Sequence, residues 1–570
     1  MTKPRVLIIG LDGMTFSVMK PLTQKGVMPT CRSLMERGSW GTLMSTVPPV
    51  TGPAWVSFAT GKQPGNHGVF DFFKPTKADN KAGISRRVIN AREVDGKTLW
   101  QILSEAGKTS IVMNVPVSYP AAPIKGVMLA DMLSPHKGGD FSWPRDLIPT
   151  LEPKLGEYTI TVNWQGYSAS NPAQFIDDEI KCERQRTKYC LHLMDEYPDW
   201  DLCFPCFTET DRMMHALWNY LDPKEREKLK QAGKYSQAVM DKVHEFYRQQ
   251  DRMIAQLLEK AGPETAVFFA SDHGFGPLYG KVMVNTFLAQ KGLLVVNQMK
   301  IRQALALIFL RKAWYKFLKT IGFQKWTRQR LARRAARQSG GRTFYDVFYE
   351  SIDWEKTKAY MASNTEGGLY LNVKGRGLYG PHVDHGCIEP RDYEKVRGEI
   401  IEALREIRHP DTGRPMLSYV EVREKVYSGK YVDRAPDIVF FLDDGEWIAD
   451  FSLGKGAFRK ADWKTGSGMH RMEGCFLACG PGIRHNPNIT TDIFNVVPTI
   501  LAYLGLPIPT DMDGKFIREA FTEDWLAAHE VKYAGSSSQE GKGWGEGQDV
   551  FNEGEEQVLV DRLRGLGYLD

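Results

Sequence analysis

Short, uninterrupted apolar runs that stop abruptly on polar residues constrain the fold of this chain more than any other feature. Residues 6–9 lead into Gly10-Leu11-Asp12, residues 266–270 into Ser271-Asp272-His273-Gly274, and residues 475–478 into Cys479-Gly480-Pro481-Gly482. A fourth run, 111–115, follows a helix-like stretch at 98–106 that ends at Gly107. A strand with one solvated face alternates apolar and polar residues, whereas a strand buried on both faces does not. Runs of this kind between amphipathic helices predict an α/β sandwich, with a mostly parallel central sheet covered by helices on both faces. In such sheets sites gather at the carboxyl ends of the strands, so Asp12, Asp272 and His273 stand where chemistry is expected.

The 570 residues exceed what one simple core supports, which predicts one large elaborated domain or two to three units. A net charge of +5 is too small over this length to indicate nucleic-acid binding. Eight cysteines are too sparse for a disulfide scaffold and fit a reducing compartment. Cys203 and Cys206 lie three apart in a strand-like run, where they face opposite sides, so they read as buried structural cysteines and not as a redox or zinc pair. The apolar run at residue 6 is too short for a signal peptide and ends in aspartate, and no stretch reaches the roughly 18 residues needed to span a bilayer, so a cytoplasmic location is expected.

One segment differs from the rest. Between Asp272 and Asp346 there is no acidic residue, and residues 300–342 hold 13 Lys or Arg. Leu305, Ile308, Phe309, Trp314, Phe317, Leu318 and Ile321 recur at roughly helical spacing, followed by a dense basic run at 328–337. A basic helical insertion at 296–345 is therefore expected, dividing a catalytic core into 1–295 and 346–525, the latter with a mixed cap region. Residues 301–337 would rest peripherally on an anionic membrane or form a solvated cap at the site entrance. The Gly/Ser-rich stretch 535–547 has a linker composition, and 555–564 resumes helical character, so 526–570 reads as linker and tail helix whose apolar end docks on the core.

Several polar residues carry candidate chemistry. Thr51 precedes Gly52-Pro53 and a helical stretch that Gly61 ends, which makes it an expected N-cap. A hydroxyl there sits where free backbone N–H groups and the helix dipole favour anions. Asp211 and His215 stand at i and i+4, on one helical face. Asp272 and His273 can both enter one crevice if the backbone turns there. His470 lies in a glycine-rich loop before another apolar strand.

The ordered set Gly10-Leu-Asp12-Gly, Thr51-Gly-Pro with Thr60-Gly61 and His67-Gly68, Asp211-x-x-x-His215, Asp272-His273-Gly274 and Gly468-Met-His470 resembles the alkaline phosphatase superfamily. It is most similar to the type I phosphodiesterase/nucleotide pyrophosphatase branch and its bacterial phosphohydrolase/phosphomutase relatives. The resemblance spans residues 4 to 525 apart from the basic insertion. It implies an alkaline-phosphatase-like sandwich and a metal-dependent phosphoesterase acting on small-molecule phosphate esters, with Thr51 as the nucleophile that becomes phosphorylated. It also implies two divalent ions, zinc first and manganese second. Asp12, Thr51, Asp272 and His273 would hold one; Asp211, His215 and His470 would hold the other. A threonine hydroxyl is a weak nucleophile at neutral pH, and a neighbouring dication would activate it.

The chain also departs from that pattern. Nucleotide pyrophosphatases place an asparagine shortly after their His-Gly to bind a phosphate oxygen, and here Phe72 stands near that position. Asn114, Asn364 and Arg376 are candidate replacements. Rival readings are a phosphomutase or phosphotransferase of the same superfamily, and a non-catalytic, metal-stabilised membrane-surface protein. A sulfatase is excluded by the absence of a Cys/Ser-x-Pro-x-Arg context at Thr51. His67 reads as a loop-ordering residue. His382 and His385 read as part of a solvated loop.

Overall fold

The computed structural model describes residues 3–76, 85–165, 167–297, 299, 351–376, 386–454, 456–461, 466–536 and 550–568. The stretch 300–350, which holds nearly all of the expected basic insertion, and the loop carrying His382 and His385 lie outside the described residues.

The apolar runs form a nine-stranded sheet. In chain order its strands are β1 (Arg5–Leu11), β2 (Ser39–Met44), β3 (Ser110–Met113), β4 (Gly126–Leu129), β5 (Ser142–Trp143), β6 (Leu202–Phe207), β7 (Thr265–Ala270), β8 (Glu473–Cys479) and β9 (Asn486–Asp492). Their spatial order is β9-β2-β8-β7-β1-β6-β3-β4-β5. Five of the eight pairings are parallel, so the sheet is mostly parallel, as the unalternated apolar runs predict. The antiparallel pairings are those of β8 with β2 and β7, and of β5 with β4.

The central strands bury both faces because successive side chains enter two different cores. Leu7, Ile9 and Leu11 join one apolar cluster, while Val6 and Ile8 join the other. The same alternation splits Cys203 from Cys206, one in each cluster. Cys203 meets Cys190 of the long helix Pro172–Glu196, with the sulfur atoms 3.6 Å apart and unbonded.

A second sheet with its own core is inserted between β7 and β8. Its strands include Gly280–Met283, Gly368–Leu371, Leu417–Val422, Ile438–Leu442 and Trp447–Asp450. Among the described residues no helix is long and apolar enough to cross a membrane.

Candidate active site

Strand order brings the singled-out residues to one edge. The strands β7, β1 and β6 are adjacent and parallel, so their carboxyl ends coincide. The first is followed by Asp272 and His273, the second by Asp12, and the third by the helix Glu209–Leu221 with Asp211 and His215. Because β8 runs antiparallel, its beginning lies at the same edge, and the strand Gly468–Arg471 just before it presents His470. β2 runs antiparallel to β8, so its end also lies there and leads to Thr51.

Small polar side chains hold the turns at this edge. Ser271 Oγ lies 2.7 and 2.6 Å from the carbonyl oxygens of Met14 and His273, donating its one proton to either, and so fixes the bend that lets Asp272 and His273 enter one crevice. Thr210 Oγ1 donates to the carbonyl of Asp12, and Ser45 Oγ to that of Asp272, both at 2.5 Å. Gly13 adopts φ +71° and donates its N–H to Asp272 Oδ1 at 3.0 Å; a Cβ there would come within 2.5 Å of the Phe275 ring.

Thr51 departs from the expected N-cap. Val50 occupies that position with extended backbone, and Thr51 is the first residue of the helix Thr51–Thr60, which ends at the left-handed Gly61. The Thr51 hydroxyl is thus not spent on its own helix. Oγ1 lies 3.2 Å from His273 Nε2 and 2.9 Å from the hydroxyl of Tyr568.

The three histidines share one orientation. Each directs Nδ1 at a backbone carbonyl: His215 at Gly468 (3.1 Å), His273 at Gly274 (3.2 Å) and His470 at Pro49 (2.9 Å). A carbonyl only accepts, so Nδ1 carries the proton and each Nε2 turns a lone pair inward. The inward Nε2 atoms of His215 and His470 are 2.9 Å apart. Asp211 Oδ1 lies 3.5 Å from His215 Nε2, 3.3 Å from His470 Nε2 and 3.9 Å from His273 Nε2. Asp12 Oδ1 and Asp272 Oδ2 approach His273 Nε2 to 3.8 and 3.2 Å. One oxygen of each aspartate (Asp12 Oδ1, Asp211 Oδ1, Asp272 Oδ2) is buried without a hydrogen-bond partner.

This packing is electrostatically costly by itself. Burial, together with the charges of Asp272 and Asp211, pushes the Asp12 carboxyl well above the usual range. Burial, with Asp211 adding to it, pushes Asp272 to about 7. Burial lowers His215 to about 4 and His273 well below the ordinary imidazole value. Unprotonated imidazoles with converging lone pairs beside unpartnered carboxylate oxygens are a donor set suited to divalent transition metals. The atoms of Asp211, His215 and His470 lie close enough to share one ion, as do those of Asp12, Asp211 and His273.

Each of the three candidate phosphate partners has a protein partner in the structure. Asn114 accepts from the Tyr158 hydroxyl at 2.5 Å, Asn364 accepts from the Phe451 N–H at 2.8 Å, and Arg376 pairs with Asp437. His67 is fully buried at the end of a short helix, where Nδ1 accepts from the Val69 N–H and Nε2 meets Ser57 Oγ at 2.8 Å, so it orders a loop against the Thr51 helix. Sequence reasoning did not single out Trp55, Trp164, Phe275 or Tyr568, which line the cluster. Only the apolar end of the tail helix hinted at the last of these.

A family model described as type I phosphodiesterase / nucleotide pyrophosphatase matches residues 6–471. No match to this chain was found among curated proteins. Among solved structures, phosphonoacetate hydrolase from Sinorhizobium meliloti 1021 in complex with phosphonoformate aligns with a TM-score of 0.53 at 15% identity, covering 88% of this chain and 96% of that one. The likeness extends more weakly to murine ectonucleotide pyrophosphatase / phosphodiesterase 5, with a TM-score of 0.49, 13% identity and coverage of 91% and 100%. The alkaline phosphatase PafA aligns with a TM-score of 0.48 at 15% identity, covering 92% and 100%. The likeness to phosphonoacetate hydrolase concerns the fold, an α/β sandwich with a mostly parallel central sheet.

Proposed function

The chain belongs to the type I phosphodiesterase / nucleotide pyrophosphatase family, a family of metal-dependent phosphoric ester hydrolases, and from that premise we propose that it cleaves phosphate diesters through a phosphothreonine at Thr51. The observation that carries this reading is the position of Thr51 Oγ1. It sits on the first turn of a helix, 3.2 Å from His273 Nε2, against the cluster of buried aspartates and inward-facing imidazoles.

Asp12, Thr51, Asp272 and His273 would hold one divalent ion, and Asp211, His215 and His470 a second, zinc being the first choice for this donor set and manganese the next. Bound there, dications supply Lewis-acid charge that favours an ionised hydroxyl and neutralises phosphate oxygens. In the first half-reaction the Thr51 Oγ–P bond forms, the bond from phosphorus to the leaving oxygen breaks, and that oxygen departs with the electron pair and takes a proton. In the second, an oxygen of water bonds to phosphorus, the Thr51 Oγ–P bond breaks and Oγ regains a proton. The backbone N–H groups of Thr51 and Gly52, which open the helix, would be donors to the phosphoryl oxygens.

A monoester dianion carries one more negative charge than a diester and calls for an extra cation. Among the described residues, Arg186 pairs with Glu209 at 2.8 Å, Arg212 donates to the Thr208 hydroxyl at 2.8 Å, and no arginine stands beside Thr51 in sequence. This supports diesters as the substrate class. The test is acid quench of the metal-loaded protein during turnover of bis-p-nitrophenyl phosphate, followed by peptide mass spectrometry. Phosphate on Thr51 is the expected result; turnover without any phosphorylated Thr51, and with full activity in Thr51→Ala, would overturn the reading.

A further inference from the structure

Residues 550–568 lie beyond the stretch that the family model matches, yet they reach the centre of the site. The helix Glu553–Gly565 opens with a capping box between Asn552 and Glu555, and it buries Leu559, Leu563 and Leu566 against the same apolar cluster that packs β1. Polar contacts fix its position as well as its burial. Arg562 donates to the Met132 carbonyl at 2.7 Å, the Val88 N–H donates to Glu556 at 3.1 Å, and the Trp164 indole donates to the Leu566 carbonyl at 2.9 Å.

The end of the helix aims one side chain. Gly567 takes φ +85°, and a Cβ there would lie 2.8 Å from the Trp164 ring, so the reversal is built for glycine. The Tyr568 N–H returns to the Leu563 carbonyl at 3.0 Å, and its ring packs on Phe72 at 4.5 Å between centroids. Phe72 in turn lies over Gly52, next to Thr51. The result is a buried phenol whose oxygen sits 2.9 Å from Thr51 Oγ1.

We infer that Tyr568 is a catalytic residue, whose hydroxyl donates a hydrogen bond to Thr51 Oγ1 and so completes the active site from outside the family core. This rests on the reading of Thr51 as nucleophile. Thr51 Oγ1 is the attacking atom in the first half-reaction and the departing atom in the second. Negative charge therefore resides on it before the P–O bond forms and again as that bond breaks. A phenol O–H directed at this atom meets the charge both times without giving up its proton. A donor held rigidly at a developing oxyanion contributes far more than one in water. The arrangement also explains the apolar Phe72 beside the nucleophile: it is a platform for the tyrosine ring.

The experiment compares the metal-loaded wild type, Tyr568→Phe, Gly567→Ala and Thr51→Ala. It measures Tm, kcat and KM for bis-p-nitrophenyl phosphate, and the fraction of Thr51 phosphorylated at steady state after acid quench. Tyr568→Phe keeps the ring on Phe72, so Tm and KM are expected to change little. The expected loss in kcat is about ten- to a hundredfold, the range for one donor to a charged oxygen. The phosphorylated fraction of Thr51 is expected to rise, because charge grows on Oγ as it departs but shrinks on it during attack, so losing the donor slows departure more than formation. Gly567→Ala, which displaces the hydroxyl without removing it, is expected to lose kcat in the same way. An unchanged kcat in Tyr568→Phe would reduce the tyrosine to an anchor, and a raised kcat would make it a plug; either overturns the inference. If Thr51→Ala is inactive while Tyr568→Phe is normal, only the tyrosine's role falls. If Thr51→Ala is fully active, the nucleophile assignment falls with it.

Discussion

Trp55 donates its indole N–H to Asp12 Oδ2 at 3.1 Å, and this bond leaves Asp12 Oδ1 as the oxygen turned toward His273. Both residues are buried, and Trp55 belongs to the very helix whose first residue is Thr51. The indole therefore links the orientation of a candidate ligand to the element that carries the candidate nucleophile.

Trp55→Phe keeps most of the packing and removes the bond. Partners of this kind orient metal ligands, and their loss lowers metal affinity by about 10- to 100-fold. That loss is expected here, measured by competition with a chromophoric chelator; an unchanged affinity would show that packing alone orients Asp12.

Metal stoichiometry gives the second prediction. Two transition-metal ions per chain are expected by elemental analysis after loading with zinc or manganese and dialysis. At most one would count against the paired site. His470→Ala is expected to cost activity by orders of magnitude while leaving the fold intact, since the ring serves the cluster and not the core. Chelation is expected to lower Tm, because Asp12, Asp211 and Asp272 then face one another with unpartnered buried oxygens.

Thr51→Ser is expected to keep partial activity. The hydroxyl remains, but the β-branched side chain that restricts its rotamer is lost. Single-turnover rates of wild type, Thr51→Ser and Thr51→Ala should fall in that order.

Substrate preference is checked with one metal-loaded preparation. kcat/KM for bis-p-nitrophenyl phosphate is expected to exceed that for p-nitrophenyl phosphate. A clear preference for the monoester would overturn the diester assignment and point to a cation at the phosphate, with Arg212 the first to substitute.

His67 supplies a pH dependence of stability. Burial, with the nearby charge of Lys62, lowers it to about 3. The folded state thus resists a proton that the unfolded chain accepts near pH 6.5. Its contribution is fully present above about pH 6.5 and is lost as pH falls toward 3, by up to roughly 1.4 kcal/mol per pH unit. Wild-type Tm is expected to fall over this window more steeply than that of His67→Gln, which can still bond Ser57. Parallel Tm profiles would assign the acid lability to other groups.

Much of this molecule was legible in the residues themselves. The unalternated runs at 6–9, 266–270 and 475–478 became strands buried on both faces, because burial on two sides leaves no room for a polar period. Asp211 and His215 share a helical face because 3.6 residues make a turn, and Cys203 and Cys206 separate into two cores because strand side chains alternate. These are local periodicities, and a sequence carries them directly.

Tertiary structure decided the rest. That β7, β1 and β6 are neighbours, placing Asp272, Asp12 and Asp211 within reach of one another, depends on strand order, which no local pattern encodes. The partners of Asn114, Asn364 and Arg376, namely Tyr158, Phe451 and Asp437, are likewise set by packing and not by any local pattern. The hydroxyl that does reach Thr51 comes from a residue 517 positions away, delivered by a helix whose docking rests on apolar burial and a few bonds to backbone carbonyls. A tyrosine in a short apolar stretch looks like any core residue in sequence. Its meaning arises only when the fold fixes which buried oxygen lies opposite its own.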